Sequence, residues 1–129
     1  PDPPEREPDS IYECPVDKNQ ALFYRLCGDV NPLHLVPSAA QLAGFEAPIL
    51  HGLCTYGIIA RAVYDTYCNN DPALIKNVSS RFLSHVYPGE TIIVDMFKDG
   101  TMIYFSARTK ERELKISTGY VELKPEAKL

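Results

Sequence analysis

With 129 residues, of which 45% are hydrophobic, the chain has the length of one domain and can bury a core of its own, so a second full domain is not expected. A formal net charge of -4 without a basic run argues against a nucleic-acid surface, although a phosphate-bearing ligand needs only a few local cations. No apolar run reaches the roughly 18 residues of a membrane span, and the Pro-rich acidic start is unlike a secretory signal, so neither is expected.

Residues 1–10 hold four prolines and four acidic side chains among almost no apolar ones. Such a segment cannot bury enough surface to order itself, and it reads as a flexible linker to a longer polypeptide preceding Pro1. A single domain is expected over residues 11–124, with a tail over 125–129. Residues 11–14 can form a short strand. Asp17, with Gln20 three positions on, resembles a capping box for a helix over residues 18–27, whose apolar face is Leu22, Phe23 and Leu26 and which Gly28 ends. Ser38 and Gln41 repeat the pattern for a shorter helical turn closed by Gly44.

The longest helical pattern runs over residues 51–68. Leu53, Tyr56, Ile58, Ile59, Ala60, Ala62, Val63 and Tyr67 cover most of its circumference, which predicts a buried helix, and Tyr56, Tyr64 and Tyr67 read as core or interface. After Pro72 the pattern turns to period two, giving strands over 77–86, 91–98, 102–109 and 115–123. Pro88-Gly89 marks a turn, and Asp99-Gly100 a hairpin, since Gly tolerates positive φ. The residues alone support an α+β fold with a helix packed on an antiparallel sheet.

Chemistry concentrates just after the first helix, in Gly28-Asp29-Val30-Asn31-Pro32-Leu33-His34. A carboxylate and an imidazole on one short loop are what a reaction needs when it takes a proton from water and delivers one to carbon. Pro32 fixes its own φ and biases Asn31 away from helix, so the chain cannot coil the two groups apart. Asn31 can orient either neighbour or satisfy backbone. Arg25 can brace the loop. Cys14, Cys27, Cys54 and Cys68 contain no C-x-x-C pair, two of them lie in apolar helical stretches, and a reduced compartment fits them best.

The loop, with Tyr24 before it and the small residue Ala40 six positions after His34, closely resembles the signature of the MaoC-like (R)-specific enoyl-CoA hydratases. Two further blocks, Pro48-Ile49-Leu50-His51-Gly52-Leu53-Cys54-Thr55 and Tyr87-Pro88-Gly89-Glu90-Thr91, extend the resemblance to roughly residues 10–124. Within that family the chain is most similar to the catalytic half of the hydratase region in eukaryotic peroxisomal multifunctional beta-oxidation enzymes. The resemblance implies a hot-dog fold and reversible hydration of trans-2-enoyl-CoA to (3R)-3-hydroxyacyl-CoA. It implies catalytic roles for Asp29, His34 and Asn31 and an oxyanion role for Gly52, whose lack of a Cβ lets a thioester approach a free amide at a helix N-terminus. The division of acid and base work between Asp29 and His34 stays open.

His51 reads as closing the turn before the helix, and His85 as an ordinary surface or cross-strand residue. Arg81 and Lys76 could meet coenzyme A phosphates or be solvated charges. No cofactor is expected, coenzyme A being part of the substrate, and no metal. The expected partner is a second hot-dog half, either a homodimer mate or an N-terminal companion. Ala127-Lys128-Leu129 resembles a C-terminal peroxisomal address. Two other functions share the expected fold: an acyl-CoA thioesterase, and a non-catalytic acyl-CoA-binding or assembly half-domain.

Overall fold

Among the described residues, five antiparallel strands form one sheet in the order β1-β3-β4-β5-β2, and a single long helix lies across it. This computed structural model describes residues 2–125, so the tripeptide 127–129 lies outside the described residues. The strands are β1 (Ser10–Pro15), β2 (Ile75–Phe82), β3 (Thr91–Asp99), β4 (Met102–Thr109) and β5 (Lys115–Leu123). The helices are α1 (Gln20–Tyr24), α2 (Pro37–Leu42) and α3 (Gly52–Tyr67). A sheet curved around one central helix is the hot-dog arrangement that the resemblance implies.

Period-two patterning builds the core. Ile92, Val94 and Met96 of β3, Ile103, Phe105 and Ala107 of β4, and Val121 and Leu123 of β5 turn one face of the sheet to Ile59, Ala62 and Val63 of α3. Each large aliphatic side chain so buried contributes roughly 1.5–3 kcal/mol against leaving it exposed. Between β2 and β5 the fit requires a glycine, because a Cβ on Gly119 would lie 2.0 Å from the Ser79 carbonyl oxygen and 2.8 Å from the Phe105 ring. The β3–β4 hairpin pairs Asp99 with Met102, leaving Gly100 (φ +61) and Thr101 as the turn. Gly89 (φ +98) makes the turn before β3.

Several expectations are corrected. Arg6 pairs with Asp9 at 2.9 Å, reaches the Lys98 carbonyl at 3.2 Å and lies over the Phe97 ring, while the Asp9 carboxylate accepts the Lys98 amide. Residues 6–9 thus continue along β3 where a free linker is expected, and β1 starts at Ser10. In α1 the Asp17 carboxylate accepts the Asn19 amide in a tight turn, with no reciprocal bond from Gln20, so the helix begins later. It passes at Tyr24 into a 3-10 turn, Arg25–Cys27, which Gly28 ends in the left-handed region. Its buried residue is Ala21, whereas Leu22, Phe23 and Leu26 are exposed.

Helix α2 begins at Pro37, which suits the first helical position, and Ser38 lies inside it. Its end is a Schellman motif, with the Phe45 amide on the Ala40 carbonyl and the Gly44 amide on the Gln41 carbonyl. In α3 only one face is buried, and Leu53 on the other is 63% exposed. β2 starts two residues earlier than expected and stops at Phe82, because the Leu83 and Ser84 amides both turn to the Ile116 carbonyl and Val86 pairs with Leu50 instead.

Candidate active site

The left-handed Gly28 (φ +108) lets the chain reverse out of the first helical segment into the polar loop. There the Asp29 carboxylate accepts the Asn31 amide at 3.1 Å. The Asn31 side-chain oxygen in turn accepts the Leu33 amide at 3.0 Å, capping the 3-10 turn Pro32–His34. Asn31 therefore satisfies backbone, one of the two tasks left open for it. Arg25 donates to the Val30 carbonyl at 3.2 Å and braces the loop from behind.

These bonds deliver His34 to the segment before α3, where its Nδ1 lies 2.8 Å from the Ile49 carbonyl oxygen. A carbonyl can only accept, so Nδ1 carries the hydrogen and Nε2 keeps a lone pair. The His34 ring stacks on His51 at 3.9 Å between centroids, and Tyr24 lies 4.7 Å from His51. Ligand atoms of Asp29, His34 and His51 all fall within 4.8 Å of one another.

His51 closes the turn before α3, and its ring adds a feature that this role does not require. Its carbonyl does accept the Cys54 and Thr55 amides at the start of α3, as a turn-closing residue should. Its ring is only 2% exposed, belongs to the cluster, and has neither nitrogen hydrogen-bonded among the described residues. Burial, reinforced by neighbouring His34 and opposed by the Asp29 carbonyl and charge, pushes its pKa below the ordinary histidine value. In the sequence the burial of the ring has a counterpart in the apolar neighbours Ile49, Leu50 and Leu53.

A cleft of about 320 Å³ opens beside His34, lined by Gly52 and Thr55 of α3 and by Phe82, His85 and Val86. Gly52 is the first residue of α3, and neither its amide nor that of Leu53 donates to an acceptor among the described residues. The helix dipole adds positive potential at this point. A Cβ on Gly52 would come within 3.6 Å of the Phe82 ring, so its lack of a side chain leaves the space before the amide open.

Other candidates lie elsewhere. Lys76 pairs with Glu122 at 3.4 Å, far along β2 from the cleft. Arg81 projects from the face of the sheet turned away from α3, because β2 residues alternate and Phe82 takes the cleft side. It lines a larger groove of about 570 Å³ beneath residues 2–8, which contains none of the loop residues. Neither cation reaches the cleft. His85, expected on a strand, lies in the segment after β2 and forms part of the cleft wall. Tyr56 donates to the Val78 carbonyl at 3.2 Å, and Tyr64 and Tyr67 pack against the core.

The model of the MaoC like domain matches residues 1–120. The chain is 45% identical over 121 residues to "Enoyl-CoA hydratase 2, peroxisomal" of Arabidopsis thaliana, covering 94% of this chain and 39% of that protein. It is 46% identical over 123 residues to "Peroxisomal multifunctional enzyme type 2" of Mus musculus, covering 95% and 17% respectively. Among solved structures, the full-length peroxisomal multifunctional enzyme type 2 from Drosophila melanogaster superposes with a TM-score of 0.93 at 46% identity, over 95% of this chain and 23% of that one. The chain thus spans well under half the length of these relatives.

Proposed function

The chain belongs to the MaoC-like domain family, and from that premise we propose that it hydrates trans-2-enoyl-CoA reversibly to (3R)-3-hydroxyacyl-CoA in beta-oxidation. One observation carries the reading: an imidazole with a fixed lone pair lines the cleft that Gly52 also lines, and a carboxylate stands within 4.8 Å of that imidazole. Water held between Asp29 and His34 Nε2 gives up a proton as its oxygen bonds to C3. Charge moves to the thioester oxygen, where the Gly52 amide donates to it inside a site that needs no rearrangement to receive it. The proton then returns to C2. His34 lines the cleft and Asp29 stands beside His34, so water reaches C3 from their side, addition is syn and a single hydroxy epimer forms. Asn31 holds the geometry through the Leu33 amide, and no cofactor beyond the substrate's own coenzyme A takes part.

The partner in this reading is a second hot-dog half, as homodimer mate or N-terminal companion. Exposed Leu22, Phe23, Leu26 and Leu53 beside the catalytic loop support a covered face there. A peroxisomal location is supported by the names of the relatives and is tested by following a fluorescent fusion with and without residues 127–129. The activity is tested by adding crotonyl-CoA and longer enoyl-CoA, following loss of the conjugated double bond, and passing the product to stereospecific dehydrogenases. Full conversion by an (S)-specific enzyme refutes the reading. Release of free coenzyme A would point to a thioesterase, and binding without turnover to a non-catalytic half.

A further inference from the structure

The block Tyr87-Pro88-Gly89-Glu90-Thr91 contributes nothing to the reaction as described, yet it holds a nearly buried carboxylate. Glu90 is 8% exposed and is held side-on by one edge of the Arg112 guanidinium, Nε to Oε2 at 2.6 Å and Nη2 to Oε1 at 2.7 Å. It also accepts the Tyr87 amide at 2.7 Å. The same guanidinium reaches across to His85, with Nη2 on its carbonyl at 3.0 Å and Nη1 on its ring Nε2 at 3.2 Å. The Tyr87 ring lies beneath the guanidinium, 4.8 Å away.

Because a guanidinium only donates, His85 Nε2 must be the unprotonated nitrogen and Nδ1 carries the hydrogen, towards Ser84 Oγ at 3.3 Å. Both ring nitrogens are then engaged. His85 cannot serve as a proton donor to a ligand; it can only present a fixed surface. That surface, wedged between Phe45 at 4.8 Å and Tyr87 at 4.9 Å, is part of the wall of the cleft that Gly52 also lines. The next residue, Val86, accepts the Leu50 amide at 2.7 Å, so the wall and the entry to α3 are joined directly. Burial, and after it Arg112, hold the His85 pKa below the ordinary value, which keeps this acceptor available.

We propose that Arg112, anchored by Glu90, is a positioning residue: it fixes His85 as the wall of the cleft and so sets how an acyl thioester seats against the Gly52 amide. This rests on the hydratase reading for the identity of the ligand. The arrangement predicts that loosening the anchor weakens ligand seating more than it slows chemistry, since Asp29 and His34 keep their own supports on the other side.

The test uses Arg112→Lys, which keeps the charge and loses the fork, and His85→Phe, which keeps the ring and loses the acceptor. For both, the Kd of unreactive butanoyl-CoA should rise about tenfold or more, and the KM for crotonyl-CoA should rise in step while kcat falls less. Nitrogen NMR of the wild type should show His85 with Nε2 unprotonated, and its signals should shift when butanoyl-CoA is added. A lower Tm with unchanged Kd in both variants would make the cluster purely structural and overturn the proposal. So would a wild-type His85 that does not respond to butanoyl-CoA. If the wild type binds butanoyl-CoA without hydrating crotonyl-CoA, the proposed activity fails, and the Kd comparison alone decides for or against the role of Arg112.

Discussion

Replacing His34 by Asn separates its proton-transfer role from its structural one. The Asn Nδ2 can occupy nearly the position of the imidazole Nδ1 and keep the 2.8 Å bond to the Ile49 carbonyl, whereas nothing in Asn replaces the Nε2 lone pair. The retained bond protects about 0.5–1.5 kcal/mol of stability. The stack on His51 is lost, which costs a further ~0.5–1.5 kcal/mol. Removal of a positioned acid–base group lowers turnover by about 10²–10⁴-fold, which is roughly 2.7–5.4 kcal/mol on the barrier. Catalysis should therefore suffer more than folding. The assay is hydration of crotonyl-CoA at saturation alongside a thermal melt, with His34→Ala as the variant that loses both nitrogens and Asp29→Asn as the matching change on the carboxylate. Turnover of His34→Asn within about tenfold of wild type, against the expected loss, would refute the proton-transfer role.

Gly52→Ala should fold normally, since its Cβ meets only the Phe82 ring at 3.6 Å, but the methyl group intrudes on the space before the amide. Turnover should fall towards the ~10²–10³-fold that losing one oxyanion donor costs, and a variant changed only in Tm would make Gly52 a packing residue. Gly119→Ala should destabilise the sheet by more than the ~1–3 kcal/mol of ordinary overpacking, because the new Cβ would sit 2.0 Å from a backbone oxygen; a soluble variant with wild-type Tm refutes this. Acid should destabilise the fold in two stages. His51 and His85 have pKa values pushed below 6.5, chiefly by burial, so the unfolded chain takes up protons that the folded one refuses and stability drops as pH falls below 6.5. Glu90 is held below 4.5 by its hydrogen bonds to Arg112 despite burial, so a second loss follows under that pH. A melt series should show His51→Phe flattening the first stage, and a wild-type Tm constant from neutrality to about pH 5 would contradict the linkage.

The strands that carry the core were legible because alternation is a strong local signal, and β4 and β5 have the bounds that the pattern predicts. The loop was legible because Gly, Asp, Asn and Pro each impose a distinct local geometry, and the structure brings Asp29 and His34 together through bonds only two residues long. What was not legible depends on contacts distant in sequence. The ring of His51 meets His34 only because the Ile49 carbonyl draws that loop across, and Glu90 finds Arg112 through a separation of 22 residues. No periodicity encodes either meeting.

The misread faces of α1 and α3 share one cause. Apolar spacing identifies a surface that avoids water, and it is silent about which body covers it. Leu22, Phe23 and Leu26 have the spacing of a buried face yet stand exposed, as does Leu53, one residue beyond the amide assigned to the thioester. A short helix of five residues gains little from its own hydrogen bonds. Exposing Leu22 and Phe23 on it, and Leu26 on the 3-10 turn that follows, is a cost that only a covering body offsets. The loop that carries Asp29 hangs from that same segment through Arg25 and Gly28, so whatever covers the face also steadies Asp29. In the proposed reading the second hot-dog half therefore contributes to the chemistry through the stability of α1, independently of any pocket that it adds.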